Sequence, residues 1–411
     1  MISILIVEDN FDKYNLICNE ILSVDGIDSE CVYHATDIVS AKRYLKEKKF
    51  SLLILDLNLP NRMGGVEEKM NGIKILEFIN NNNRAISPSY ILGVTAYDDA
   101  FNEAQKDFSS ILWQVIKFDY ASSGWKTTLK SSLNYLVAND KPPYRNDGKT
   151  YHYDIGIICA LEEELEAVLA ECSNVELVEL EYDHNQYYKL TYNIEDKLIN
   201  AIATCCPSMG MSPAGILTHQ IISKFRPRII TMAGICAGVR EKTNFGDILI
   251  ADPCFEWGSG KLVENGDSRI ELRPANYPWR VNNSILSIFT SIKKDKEFLD
   301  SIYLTYDRNR PATRPGILID AMASGSSVLQ SQEMIDSVKK QHKNLIGIEM
   351  ESYAVFTACA LADDPKPLCV SLKSVCDFGD SSKSDDYHHY ASYTSAKVLT
   401  RFILDWFTKN S

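Results

Sequence analysis

Short apolar runs and longer stretches of helical period alternate along the first third of the chain. Ile2 to Val7 and Leu52 to Leu57 are apolar and branched at nearly every position, the pattern of parallel strands buried on both faces. Weaker runs of the same kind cover Ser89 to Thr95 and Ile111 to Lys117. Between them, Ile38 to Lys46 and Ile73 to Ile79 place apolar residues at helical spacing. Alternating strands and helices predict a doubly wound α/β sheet with its chemistry at the carboxyl ends of the strands. The pattern stops after Leu136, and Asn139 to Thr150 (NDKPPYRNDGKT) has the polar, proline- and glycine-bearing composition of a linker. A second α/β series begins at Tyr153 (YDIGIICA). The expected organisation is a domain over residues 1–138, a linker over 139–152 and a second domain over 153–411.

Composition narrows the class. The 411 residues suit two or three domains, and 45% hydrophobic content is enough to fill their cores. Lys and Arg number 43 against 55 Asp and Glu, a net charge of −12. That balance argues against an electrostatic grip on nucleic acid or anionic lipid. No apolar run approaches the ~20 residues of a membrane helix, and the start, MISILIVEDN, lacks the basic region of a signal peptide. A cytoplasmic protein with no nucleic-acid or membrane partner is expected. The 11 cysteines are scattered, with Cys205 beside Cys206, which suits reduced packing thiols.

In the first domain, polar residues collect at strand ends. Glu8 and Asp9 follow the first strand, Asp56 ends the second apolar run, Thr95 ends the next and Lys117 the last. Carboxylates from adjacent parallel strands repel one another unless a cation joins them, and oxygen ligands suit Mg²⁺. A carboxylate beside Mg²⁺, a hydroxyl and an ammonium is equipped to attack a phosphoryl group. Residues 1 to about 136 resemble the receiver domain of bacterial response regulators. The resemblance implies a five-stranded, flavodoxin-like sheet, with Asp56 as phosphoacceptor and Glu8, Asp9, Asp56 and Asn58 around Mg²⁺. Thr95 would be the switch hydroxyl and Lys117 the partner of the phosphoryl group. Three departures stand out. Phe118 follows the lysine where receivers usually carry proline, Gln114 replaces the usual aromatic switch residue, and the loop NRMGGVEEKMNG is long.

In the second domain, the first strand runs into Glu162-Glu163-Glu164 at a strand-to-helix junction. Glutamates in a first helical turn are also favoured by the helix dipole alone. Glu349 and Glu351 flank Met350, and in an extended segment they would share one face. A buried strand from Leu368 to Val375 leads into Cys376-Asp377-Phe378-Gly379, a typical place for a catalytic acid. Several carboxylates with no basic cluster suit cleavage through an oxocarbenium-like transition state, so the residues alone reach carboxylate-driven hydrolysis of a C–O or C–N bond.

The segments IGIICALEEEL, FRPRIITMAGICAGV, FGDILIADP, IGIEMESYAV and SVCDFGD resemble, in order and spacing, the purine nucleoside phosphorylase/nucleosidase superfamily. The match is best to methylthioadenosine/S-adenosylhomocysteine nucleosidases. It implies a nucleoside phosphorylase-like α/β domain with a mixed central sheet and a homo-oligomer, dimer or larger. Glu164 would activate water and Asp377 would protonate the purine. Glu351 would bind ribose hydroxyls, Met350 would stack on sugar or base, and Val328 and Leu329 would line the adenine pocket. Lys373 stands where the family places an arginine that steadies the glutamates, and Gly234 and Met209 lie in turns expected close to substrate. Met232 and Ile235 occupy positions that bind phosphate in phosphorylases, and neither can hold an anion, which favours hydrolysis.

The pairing of GICAGVR with a receiver resembles the effector response regulators of Detocs anti-phage two-component systems. That implies cleavage of ATP, and of dATP, under control of a sensor histidine kinase. A triphosphate needs cations; Arg240, Lys242, Lys261, Arg308, Arg310, Arg314 and Lys383 are candidates, although an ordinary surface role is the commoner fate of such side chains. Trp257 and Phe255 could stack on a base or fill the core, and His388 and His389 read as a helix end. Two other classes stay open, a housekeeping nucleosidase and a non-catalytic nucleotide sensor. A transcription regulator has no support, since no helix-turn-helix tail or basic stripe is present.

Overall fold

Successive residues of β1 (Ile4–Val7) enter different cores, because side chains along a strand alternate between faces. Ile4 and Ile6 join Ile17, Ile21, Trp125, Leu129 and Leu133 on one side. Leu5 and Val7 join Ile38, Ala41, Leu45, Ile75 and Leu76 on the other. The computed structural model describes residues 2–410 except 82–83, 98–100, 102–113, 145, 195–196, 265–269 and 381–384. Two compact units are present, Met1–Lys141 and Pro142–Ser411.

In the first unit, β1, β2 (Val32–Ala35), β3 (Leu52–Asp56), β4 (Tyr90–Thr95) and β5 (Gln114–Lys117) form a parallel five-stranded sheet in the order β2-β1-β3-β4-β5. Residues 111–113 of the expected last strand lie outside the described residues. Helices α1 (Phe11–Leu22) and α4 (Gly124–Asn139) cover one face, α2 (Ile38–Glu47) and α3 (Ile73–Asn81) the other. Asn10 starts α1 by accepting from the N–H groups of Asp12 and Lys13, and Asp37 caps α2 in the same way. The order reverses between β1 and β3, so the residues after β1 and at the end of β3 share the crevice where such sheets hold ligands.

The second unit is built on a mixed nine-stranded sheet. Its strands are β6 (Tyr153–Cys159), β7 (Val175–Val178), β8 (Tyr187–Ile194), β9 (Lys197–Cys205), β10 (Pro227–Gly238), β11 (Ile248–Glu256), β14 (Ile317–Ser324), β15 (Gly347–Glu349) and β16 (Leu368–Asp377). A separate hairpin joins β12 (Gly260–Glu264) to β13 (Ile270–Pro274). Strand β10 runs for 12 residues and serves two partners on one edge. Ile229–Met232 pair in parallel with β6, while Ala237 and Gly238 pair antiparallel with β15. Since β15 also pairs with β14, the run β10-β16-β11-β14-β15 closes on itself. That closure brings the ends of β10, β15 and β16 together.

The helices of this unit are α5 (Glu162–Ala170), α6 (Met211–Phe225), α7 (Asn283–Lys294), α8 (Lys296–Thr305), α9 (Gln332–Gln341), α10 (Ser352–Ala360) and α11 (His388–Lys409). Leu165, Val398, Leu399, Phe402 and Ile403 pack α5 and α11 on one face. Leu217, Ile221, Phe225 and Val355 pack α6 and α10 on the other. Part of the polar segment after α4 is fastened to this unit: Tyr144 N–H donates to Lys224 O and His152 N–H to Arg226 O, each at 2.9 Å. No helix among the described residues is long and apolar enough to cross a membrane. Phe402 is fully buried and stacks on Phe289 at 4.7 Å. Phe402→Ala is expected to cost about 3–5 kcal/mol, measured as a lower urea midpoint of the second unit's transition by circular dichroism.

Candidate active site

Strand β6 ends at Cys159, and two residues later the chain enters α5, which puts Glu164 in the first helical turn. The Glu164 carboxylate folds back on the helix start. Its Oε2 accepts from the N–H groups of Ala160 (2.6 Å) and Leu161 (3.0 Å), and its Oε1 from Ile235 N–H of β10 (2.8 Å). Lys373 Nζ lies 3.7 Å from Glu164 Oε1 and 3.4 Å from Glu351 Oε2. All three side chains are buried. Burial opposes the lysine's charge, but the attraction of Glu164 and then Glu351 outweighs it and holds the ammonium above its ordinary pKa. Burial also raises Glu351, against the pull of Lys373. Glu351 is fixed at its other oxygen by Gly210 N–H at 2.9 Å.

The segment around Met350 is not extended throughout. Strand β15 stops at Glu349, and Glu351 is the N-cap of α10. Glu349 therefore does not pair with Glu351 on one strand face. Its carboxylate accepts from the N–H groups of Glu351 (3.0 Å) and Ser352 (2.9 Å) and from the Ser324 hydroxyl, which anchors the helix start. Asp377 ends β16, with Oδ1 accepting from Gly379 N–H at 2.6 Å.

These groups face one cavity. Glu164, Glu351, Lys373, Asp377, Met209, Met350, Val328 and Leu329 all line it. Ile235 lines it as well, with its N–H already committed to Glu164. A phosphate there would meet a buried carboxylate and an occupied donor. Gly234 is not a lining residue, contrary to the expectation of a substrate contact. It stands behind Glu164, where a Cβ would fall 2.1 Å from Oε1.

His388, read from sequence as a helix end, does begin α11, yet it also lines the cavity. Its Nδ1 is 3.0 Å from Glu163 Oε1. One atom each of Cys376, Asp377 and His388 lies within 4.8 Å of the others, a grouping able to hold a metal ion. The only local sign of this was the helix start itself. Phe255 belongs to a core cluster with Trp257 packed against it, and neither lines the cavity.

Of the proposed triphosphate cations, Arg240 pairs with Asp380 at 2.5 Å and Lys242 donates to the carbonyls of Lys343 and Leu345. Arg310 donates to the carbonyls of Tyr303 and Tyr306 and Arg314 pairs with Asp300, so this cluster is tied to α8. Lys261 and Arg308 are exposed away from the lining, and Lys383 lies outside the described residues.

In the first unit, Glu8, Asp9 and Asp56 bring carboxylate oxygens within 4.8 Å of one another, a donor set that fits a hard divalent ion. Burial, with Asp56 adding to it, pushes Glu8 up to about 8. Asn58 N–H donates to Asp56 Oδ1 (3.1 Å), while the Asn58 side-chain oxygen accepts from Met70 N–H (3.0 Å). Thr95 is fully buried. Lys117 ends β5 as an exposed side chain. The Lys13 ammonium is in contact with Asp56, at 2.6 Å, and also lies 2.8 Å from Glu8. Sequence reading missed Lys13, although the Asn10 cap places it in the first turn of α1. It also missed Glu67 of the long loop, raised by burial and by the charges of Asp56 and Asp9.

Residues 154–406 match the model of the phosphorylase superfamily. The chain belongs to that superfamily. An uncharacterized Sinorhizobium fredii protein, y4jS, is 32% identical over 96% of this chain and 97% of its own. The ATP nucleosidase Cap17 of Escherichia coli is 26% identical over 53% of this chain, a match spanning only 44% of Cap17. A 5′-methylthioadenosine/S-adenosylhomocysteine nucleosidase of Helicobacter pylori shares the fold at a TM-score of 0.50 and 18% identity, covering 62% of this chain and 100% of that one. The phosphorylase-superfamily segment thus contains the whole Glu164–Glu351–Lys373–Asp377 cavity. Gly234→Ala should push the Glu164 carboxylate out of its three N–H donors. The expected result is about 1–3 kcal/mol of lost stability by thermal melting and at least a ~100-fold fall in free-base release from a nucleoside substrate.

Proposed function

We propose that the second unit is a purine nucleotide N-glycosidase that hydrolyses ATP, and dATP, to adenine and (deoxy)ribose 5′-triphosphate. The observation that carries this reading is the convergence of Glu164, Glu351 and Asp377 on one cavity around a buried lysine. Glu164 takes a proton from water as the water oxygen bonds to C1′ and the C1′–N9 bond breaks. Asp377 gives a proton to purine N7, so adenine leaves neutral. Glu351 accepts from the ribose hydroxyls, and Met350, Val328 and Leu329 pack against sugar and base. Hydrolysis is favoured over phosphorolysis by the apolar Met232 and Ile235 and by the commitment of Ile235 N–H to Glu164. The ATP assignment is supported by the similarity of this unit to Cap17.

In the same reading, the first unit is a receiver. Asp56 attacks the phosphorus of a phosphohistidine on a sensor histidine kinase, and the histidine leaves as the acyl phosphate forms. Mg²⁺ held by Glu8, Asp9, Asp56 and Asn58 would supply charge neutralisation to that transfer. Thr95 and Lys117 would read the phosphorylated state, which shifts the population of an active homo-oligomer. A cytoplasmic enzyme that destroys ATP only on demand fits the effector of an anti-phage two-component system.

One observation favours a second reading. Among the described lining residues the only basic side chains are Lys373 and His388, both paired with glutamates. That suits a neutral nucleoside such as methylthioadenosine. Incubation with ATP, dATP, AMP, adenosine and methylthioadenosine, with and without acetyl phosphate and Mg²⁺, separates the two by chromatography of free adenine. Adenine from ATP after donor treatment, lost by Asp56→Ala and reduced about 10²–10⁴-fold by Glu164→Ala or Asp377→Ala, is the expected result. Adenine from methylthioadenosine alone supports the second reading.

Lys373→Met should also shift the pH profile. Removing the ammonium raises the carboxyl pKa of Glu351 further, so the acid limb of kcat/KM moves to higher pH. Lys373→Arg should keep the limb near its original position.

A further inference from the structure

The Glu8–Asp56 pocket holds its own cation. Lys13 Nζ lies 2.6 Å from Asp56 Oδ2 and 2.8 Å from Glu8 Oε2, and both Glu8 and Lys13 are almost wholly buried. The ammonium also sits 5.5 Å from the centre of the Phe118 ring. Phe118 is itself buried against Trp125 at 4.7 Å, so the ring beside the lysine is packed in place. The placement is built into the chain: Asn10 Oδ1 accepts from Lys13 N–H at 3.0 Å, which fixes the first turn of α1 over the crevice.

A divalent ion would draw on the same two carboxylates, whose second oxygens already accept from Asn10 N–H and Asn58 N–H. Mg²⁺ binds oxygen at about 2.0–2.1 Å, so an ion bridging the two oxygens that Lys13 holds would lie within a few ångströms of the ammonium. Two cations cannot share that space without strong like-charge repulsion in a site screened from water.

The geometry points to Lys13 as the resident counter-cation of the Glu8–Asp56 pocket, which a divalent ion enters only by displacing the ammonium. The two carboxylates are then brought together without metal, and metal entry and release of the Lys13 side chain are one event. This bears on the receiver reading but is tested by equilibrium binding, with no phosphoryl transfer, so the two can fail separately. Loss of the receiver reading would show as no modification of Asp56 by acetyl phosphate.

The experiment titrates the full-length protein with Mn²⁺ and follows free ion by electron paramagnetic resonance. Lys13→Met and Lys13→Gln should bind Mn²⁺ about tenfold or more tightly than the unsubstituted protein, given the charge removed from direct contact with the ligands. Lys13→Arg should not. The gain should vanish in K13M/D56N, which separates this pocket from the Cys376–Asp377–His388 group. Equal affinity with and without Lys13, absence of binding in both neutral variants, or a gain that survives D56N would each overturn the inference.

Discussion

The cavity of the second unit depends on one buried charge. Glu164 and Glu351 could not occupy the same dry pocket without Lys373, which rises from the middle of β16 between Gly234 of β10 and Leu249 of β11. Carrying an ammonium into the sheet is costly, and it is offset only because two carboxylates meet it. Breaking a buried pair of this kind by removing one partner typically costs about 3–5 kcal/mol. The surrounding features follow from that arrangement. Gly234 must lack a side chain, Ile235 must give its N–H to Glu164, and Gly210 must hold the far oxygen of Glu351. The carboxylates are placed by backbone and lysine before any substrate arrives, which is the condition for electrostatic preorganisation.

The first unit solves a similar problem differently. Glu8 and Asp56 also converge on a buried lysine, but Lys13 comes from the first turn of a helix beside the sheet. Lys373 is enclosed by strands on both sides. A side chain at a helix start can be rearranged at lower cost than one threaded through a closed sheet, because fewer packed neighbours must move. The lysine within the sheet is thus the more firmly fixed of the two, and the one at the helix start the more easily moved.

Much of this was legible in the sequence, for identifiable reasons. Strands β1 and β3 announce themselves because parallel strands buried on both faces are apolar throughout. Glu164, Glu351 and Asp377 stand at element junctions, where polar residues interrupt apolar runs. The closure of β10 onto β15 was not legible, since antiparallel return pairing depends on residues more than a hundred positions apart. Consequently the split duty of Glu349 and Glu351 was misjudged: both carboxylates lie on the cavity wall, but one caps a helix. Lys13 escaped because a lysine in the first turn of a polar-looking helix reads as solvated surface, and only the folded chain reveals the two carboxylates beneath it. Gly234 was recognised as a close-approach glycine, but what approaches is Glu164 and not a ligand.

The chain's entry into the second unit is fastened at Tyr144 and His152 to the carbonyls of Lys224 and Arg226, at the C-terminal end of α6. The opposite end of that helix begins beside Gly210, whose N–H holds Glu351. A helix of 15 residues spans about 22 Å, and its hydrogen-bonded ladder resists compression far better than a loop does. Helix α6 is therefore one continuous element whose C-terminal end carries the carbonyls that hold the entering chain and whose N-terminal end begins at the donor that holds the Glu351 oxygen.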